Sequence, residues 1–435
     1  MQRFSLQVIA LLAVFTCFHG AAWADNAAQS EAFGDQNESA ITQSGDGETA
    51  TVFMMGDGND SNVTQNVFGN TATVNQVGDL NDSSALQTGA VLGGSEATVN
   101  QTGNSNDSSV DQTGVVDGGN TAFVDQTGTI NESSVMQTGD YNMADVDQIG
   151  ENAKSTITQD GEDNLGLTIQ GSDNEAEIDQ TGSGNTASVD QYENSMAPNT
   201  ENFAVISQSG EDNTAEVYQD DENYADIYQV GFWNQALIDQ THGGATDKTD
   251  LNQGFITQTG DENMGSVYQS GTSNFGEIVQ GSFNEGVIDQ SGDNNLAFLT
   301  QENNNDGFIY QLGSDNVATI NQDYSASGLT NIFSDGNYAS VTQEGDYNLA
   351  TVNQDDGNNA VVSQLGAGTV DNPNDVLINQ WDDGDFATVT QDGGEGNYIV
   401  INQEHCCSAG SSGVTNHATA NQDGMFNTTS ITQLN

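Results

Sequence analysis

The chain has 435 residues with Gly 50, Pro 2 and 7% aromatics, and Lys+Arg 3 against Asp+Glu 64 gives a formal net charge of -61. That charge repels the phosphates of nucleic acids and of anionic lipids, which disfavours both as partners. Few aromatics and a repeated vocabulary argue against ordinary globular domains, and high charge with modest hydrophobicity is also the composition of disorder, which only a residue pattern can answer.

In chain order, residues 1–24 read as a secretory signal peptide. Arg3 precedes an apolar run from Val8 to Phe18, and Ala22, Trp23 and Ala24 form a small-x-small cleavage site. Cleavage after Ala24 would remove Arg3 and Cys17. No later stretch approaches the roughly 20 consecutive apolar residues of a spanning helix, so no membrane insertion is expected. Residues 25–36 are a short N-terminal segment, and 37–435 are the repeat domain.

The repeat is exemplified by "NTATVNQVGDLNDSSALQTG", residues 70–89. Aligned on its glutamine, 34 units run from Gln43 to Gln433; glutamine fills 32 of them, with Met54 and Phe333 in the other two. Six residues earlier stands Asn in 29 units, and two residues earlier Val, Ile or Leu in 30. A disordered polar chain has no reason to keep that phase.

Positions six, four, two and zero before the marker share one parity. In an extended strand Asn70, Ala72, Val74 and Gln76 point one way and Thr71, Thr73 and Asn75 the other. A helix would scatter them. Each unit is then a short strand plus a tight turn such as "VGDLN", where Gly and Asn supply unusual backbone angles. Four residues before the marker, Ser39, Ala50, Ser61, Ala72, Ser83 and Ala97 alternate, so the period is two units. The expected fold is all-β: a cross-β solenoid with two strands per coil and about seventeen stacked coils.

Inward parity turns the amides into candidate ladders, each side chain donating to the copy above and accepting from the copy below. The candidate ladder residues are Asn59, Gln65, Asn70, Gln76, Asn142, Gln148, Asn213, Gln219, Asn348, Gln354 and Gln433, with Val74 and Val146 in the core.

Acidic residues gather in turns such as "GDGND" (56–60) and "TGDEN" (259–263). They keep subunits apart before assembly, or they hold calcium; the strict phase of calcium-dependent solenoids is absent, so loosely bound calcium or other divalent ions are expected rather than a cofactor site. Longer joins fall near 89–94, 114–119, 192–201, 241–251, 365–373 and 404–415, and both prolines, Pro198 and Pro373, lie in them. Cys406 and Cys407 are open to a vicinal or intermolecular disulfide in an exported chain, and with His405 and His417 to metal in a spacing that matches no standard zinc motif. No nucleophile-and-base or paired-acid arrangement recurs, so no enzyme is expected.

The pieces "QVGDLNDSSALQ" (76–87), "QTGDYNMADVDQ" (137–148), "QSGEDNTAEVYQ" (208–219) and "QEGDYNLATVNQ" (343–354) resemble the curlin repeat, QxGxxNxAxxxQ. Asn here replaces the Ser that usually opens that repeat. The resemblance implies an extracellular functional amyloid, a curli-like cell-surface fibre of biofilms. It also implies export through the periplasm and an outer-membrane pore, and a separate minor nucleator subunit. The last units, "ATANQDGMFNTTSITQLN", contain no Lys or Arg, which resembles a major subunit more than a basic-tailed nucleator. The alternatives are a monomeric secreted adhesin binding calcium or glycan, and an ice-binding solenoid, against which Asp145 and Asp147 interrupt the threonine array.

Overall fold

The computed structural model describes residues 26–89, 93–115, 118–192, 201–220, 222–241, 251–323, 336–355, 357–381, 384–404 and 416–434. The signal-peptide reading, Pro198, His405, Cys406 and Cys407 lie outside them. The described residues are all-β, in two compact units, Met1–Asp163 and Asn164–Asn435.

Among the described residues the N-terminal unit holds twelve strands, from Ala27–Phe33 to Lys154–Glu162, and the C-terminal unit twenty-two, from Leu165–Gln170 to Thr428–Leu434. Each unit is a parallel β-solenoid. Successive strands alternate between two sheets, and each pairs in parallel with the strand two places along the chain. The N-terminal unit thus has six strands in each sheet and the C-terminal unit eleven.

Register follows the sequence repeat residue for residue. In the first sheet Ala50, Ala72, Ala97, Ala122 and Ala144 lie in one row. In the second sheet Ser39, Ser61, Ser83, Ser108, Ser133 and Ser155 lie in the equivalent row. A one-residue slip would turn every buried amide and aliphatic outward, which is why the register is so firmly specified. The serine row has a cost: the hydroxyls of Ser61, Ser83, Ser108 and Ser133 are buried and make no hydrogen bond.

The alternation of Ser and Ala stops with the N-terminal unit. Further along, Ile256, Ile278, Ile288 and Ile309 are fully buried, and Gly254, Gly265, Gly276, Gly286 and Gly307 fill the small position. Larger aliphatics are accommodated by smaller neighbours. A Cβ on Gly254 would stand 2.8 Å from Ile238 Cγ2, and one on Gly307 2.5 Å from Leu299 Cδ1.

Strands are joined by arches of the form Gln-x-Gly-x-x-Asn. In "QVGDLN" Gly78 has φ 124° and Leu80 φ 59°, so the left-handed residue is the one before the asparagine rather than the asparagine expected from turn chemistry. Arch acids have a defined job. Asp79 Oδ1 accepts the backbone N–H of Asp57 at 2.8 Å, and Asp57 Oδ1 that of Asp35 at 2.7 Å. The carboxylates thus satisfy peptide donors of the preceding coil.

Asp306–Leu312 pairs directly with Tyr338–Glu344, and Val317–Asp323 with Asn348–Asp355, while the unit marked by Phe333 lies outside the described residues. One feature departs from the sequence reading: Ala27–Phe33, inside the segment ahead of the repeats, is a further strand, with Ala32 at the marker position opposite Met54. Of the longer joins, 365–373 is a small loop closed by a bridge between Thr369 and Asn372, with Pro373 just beyond it.

Candidate assembly interface: amide ladders and open terminal coils

The glutamines form continuous chains of side-chain hydrogen bonds. In the second sheet of the N-terminal unit Gln43 Nε2 donates to Gln65 Oε1 at 2.9 Å, Gln65 to Gln87 at 2.8 Å, and the series continues through Gln112 and Gln137 to Gln159. In the first sheet Gln76 donates to Gln101 at 2.9 Å, and the series passes through Gln126 to Gln148. The C-terminal unit has the same two series. One runs through Gln219, which donates to Gln240 at 2.9 Å; the other runs through Gln354, which donates to Gln380 at 2.9 Å, and ends where Gln403 donates to Gln433 at 2.8 Å.

Each glutamine amide has a second task. Gln65 Nε2 also donates to Thr49 O at 3.0 Å, Gln148 to Glu132 O at 2.9 Å and Gln433 to His417 O at 3.0 Å, all on the opposite sheet. One side chain therefore bonds along the stack and across the core, so the strands of a coil are tied together where the interior is too thin for large apolar residues.

The asparagines also bond copy to copy, and add backbone partners: Asn59 Nδ2 donates to Asn37 Oδ1 at 3.2 Å, Asn142 Nδ2 to Asn120 Oδ1 at 3.2 Å, Asn213 Nδ2 to Asn185 Oδ1 at 3.0 Å and Asn348 Nδ2 to Asn316 Oδ1 at 3.1 Å. Their Oδ1 accepts the backbone N–H of the next asparagine: Asn59 N donates to Asn37 Oδ1 at 2.9 Å, Asn142 N to Asn120 Oδ1 at 3.0 Å, Asn213 N to Asn185 Oδ1 at 3.2 Å and Asn348 N to Asn316 Oδ1 at 3.0 Å. Their Nδ2 reaches an arch glycine carbonyl: Gly78 O for Asn59 at 2.8 Å, Gly161 O for Asn142 at 2.9 Å, Gly231 O for Asn213 at 2.9 Å. Asn70 Oδ1 accepts from Ser95 N at 3.0 Å, and its Nδ2 donates to Asn66 O at 3.1 Å. A shorter side chain at the arch thus reaches both its own copy and the peptide groups beside it. Glutamine series donate towards the C-terminus and asparagine series towards the N-terminus. Val74 and Val146 are buried between these rows.

Two substitutions near the start interrupt the pattern. Met54 stands where the first-sheet series needs a donor, and the buried Gln76 Oε1 has no partner. Glu48 stands in the asparagine row, fully buried, with neither carboxylate oxygen hydrogen-bonded. Burial pushes its carboxyl up to about 7; the nearby Ser44 backbone lowers it and the charge of Asp46 raises it, both by less. Because the folded form holds the proton more tightly, this group lowers stability progressively as pH rises from about 4.5 to about 7, and the loss is reversed in acid. Glu48→Asn is expected to abolish that dependence. At pH 8 it should strengthen hydrogen-exchange protection of Thr49–Met55 and Thr71–Val77 by about 1–3 kcal/mol after allowance for solvent screening, with little change at pH 4.

The outward faces carry the charge. Glu38, Asp60, Asp82, Asp107 and Glu132 stack in one row of the second sheet. Burial, then the neighbouring Asp107 and Asp60, hold the Asp82 carboxyl above its ordinary range. Burial, then Asp125, does the same for Asp145. In the C-terminal unit the second sheet instead carries a row of rings that no sequence period announced. Phe203, Tyr224, Phe255, Phe275 and Phe298 follow one another with centroids 5.3–5.4 Å apart. Among the described residues no group of three or more His, Cys, Asp or Glu side chains converges on a metal-sized site.

The terminal coils are open. Ile41 at the start and Ile431 at the end are only half-buried, whereas their interior counterparts, such as Ile157 and Ile401, are fully buried. Gln43 and Gln433 are likewise half-buried, against full burial for Gln65 and Gln403. Among the described residues no further strand stacks on them.

Parallel two-strand coils around an interior of amide ladders define a cross-β solenoid. The Curlin associated repeat matches the chain at residues 119–150, 171–193, 221–246, 271–302 and 335–366. Five curlin repeats thus lie across residues 119–366, and the family of that repeat is structural rather than enzymatic and typically extracellular. The comparison with curated proteins finds no match.

Proposed function

We propose that this chain is the structural subunit of an extracellular, curli-like amyloid fibre of the biofilm matrix and cell surface. It grows by strand stacking, with a minor nucleator and an outer-membrane export pore as its other partners. The observation that carries the reading is the pair of open terminal coils: core-facing Ile41, Gln43, Ile431 and Gln433 are left half-exposed in a chain whose other coils bury these positions completely. Unpaired strand edges recruit further strands unless they are blocked, and here neither Pro nor Lys blocks them. The acidic rows fit the same role, since ionised carboxylates one strand spacing apart oppose stacking within a Debye length of about 10 Å.

The purified mature chain is expected to form fibres under electron microscopy, with a meridional reflection near about 4.8 Å. Assembly should be faster at mildly acidic pH and in higher salt, because the raised carboxyls of Asp82 and Asp145 are then neutralised or screened. A monodisperse particle that forms no fibre at any pH defeats the proposal.

A further inference from the structure

We infer that copies join head to tail in one register, the C-terminal coil of one chain on the N-terminal coil of the next, and that only one of the two glutamine ladders crosses the joint. This rests on the fibre reading above. The register is set by the arches. After Gln422 the chain reads Asp423, Gly424, Met425, Phe426, Asn427, and after Ala32 it reads Phe33, Gly34, Asp35, Gln36, Asn37. The two arches have equal length. Gly424 and Gly34 have φ 105° and 121°, and Phe426 and Gln36 have φ 57° and 63°. They therefore superpose as adjacent arches of a stack.

Interior glycines stack so closely that a Cβ on Gly34 would lie 1.9 Å from Gly56 O, whereas one on Gly424 would meet nothing nearer than Asn427 Nδ2 at 3.6 Å. The place above Gly424 is open. Gly34 of the next copy fits it.

In this register Ile431 meets Ile41 and Gln433 meets Gln43. Gln433 Nε2 carries one hydrogen bond, to His417 O, while interior glutamines such as Gln65 carry two. Its second donor is aimed where Gln43 Oε1 of the next copy would stand. Asn427 Oδ1, which accepts nothing among the described residues, would receive Asn37 N, as Asn37 Oδ1 receives Asn59 N within the chain.

The other side of the joint is different. Gln422 meets Ala32, beyond which stand Met54 and the orphaned Gln76 Oε1. Gln422 instead donates to Thr429 Oγ1 at 2.9 Å within its own chain, which marks a ladder that has ended. Charge favours the arrangement as well: the last strand, Thr428–Leu434, contains no acid, so Glu38 of the next copy faces Thr428 rather than another carboxylate.

Two measurements test the joint. In a Cys406→Ser, Cys407→Ser background, chains carrying nitroxide at Thr42→Cys are mixed with chains carrying it at Thr432→Cys. Both positions face outward, and the joint places them one strand spacing apart. Fibres of the mixture should show strong dipolar broadening that fibres of either labelled chain diluted in unlabelled chain lack; fibres without it overturn the register while leaving the fibre reading intact. Wild-type chain that forms no fibre defeats the fibre reading itself, and the joint with it. Independently, Ala32→Gln with Met54→Gln completes the second ladder across the joint. The soluble concentration in equilibrium with fibres should fall about tenfold, as expected for the added buried hydrogen bonds. An unchanged concentration overturns the half-ladder.

Discussion

Gln229→Ala is expected to lower the stability of the surrounding coils by about 3–6 kcal/mol, several times the cost of removing an exposed side chain. Gln229 is fully buried and sits in mid-series: its Oε1 accepts from Gln208 Nε2 at 2.8 Å, and its Nε2 donates to Gln258 Oε1 at 2.8 Å and to Thr214 O at 3.0 Å. Truncation orphans one donor and two acceptors in a space too narrow for ready hydration, and each orphaned buried group costs about 1–3 kcal/mol. Gln229→Leu separates this polar term from the loss of volume, because it refills much of the space and leaves the same groups unpaired. Both variants should lose hydrogen-exchange protection most strongly in Phe203–Glu211, Tyr224–Phe232 and Gln253–Thr259, since a solenoid is stabilised coil by coil through nearest neighbours. Loss confined to the alanine variant would show that packing, and not the ladder, supports these coils.

What the sequence made legible was whatever repeats with the strand period. Parity alone places Asn70, Val74 and Gln76 on one face, and a face shared by aliphatics and amides can be satisfied only by stacking like on like. The glutamine series, the two-strand coil and the row of alanines in the first sheet all follow from that step. Features depending on reach or on a single position were not legible in the same way. Asparagine and glutamine look alike in a repeat and both bond to their own copies, but the shorter asparagine also accepts the backbone N–H of its neighbour, a contact that reach decides and no repeat displays. Ala27–Phe33 escaped because "AAQSEAF" has neither the marker glutamine nor an aliphatic two places before it, and its place in the stack is fixed by pairing with Thr49–Met55. The ring row is shared between two outward positions, five before the marker at Phe203, Tyr224 and Phe275 and three before it at Phe255 and Phe298, so no single column of an aligned repeat reveals it. Glu48 is visible in the sequence as a break in the asparagine row, but only its lack of partners makes it a buried acid with a displaced pKa.

Gly210→Ala should cost about 3–5 kcal/mol and halt stacking locally, although the side chain added is a single methyl group. At φ 128° Gly210 is in a region that L side chains rarely adopt, and the new Cβ would lie 1.9 Å from Gly231 O and 2.9 Å from its carbonyl carbon, both backbone atoms that cannot swing aside. Relief requires opening the arch, which also pulls Asn213 Nδ2 from Gly231 O, a bond of 2.9 Å. Gly47→Ala is the control: it shares the positive φ, 75°, but has nothing within 4 Å of the added carbon, so it should cost only the left-handed penalty of about 1–2 kcal/mol. Denaturant unfolding of the two variants, followed by arch-resolved hydrogen exchange, separates backbone strain from the stacking collision. The arch glycines are required by the spacing of the stack more than by the turn itself, and equal destabilisation by the two substitutions would contradict that.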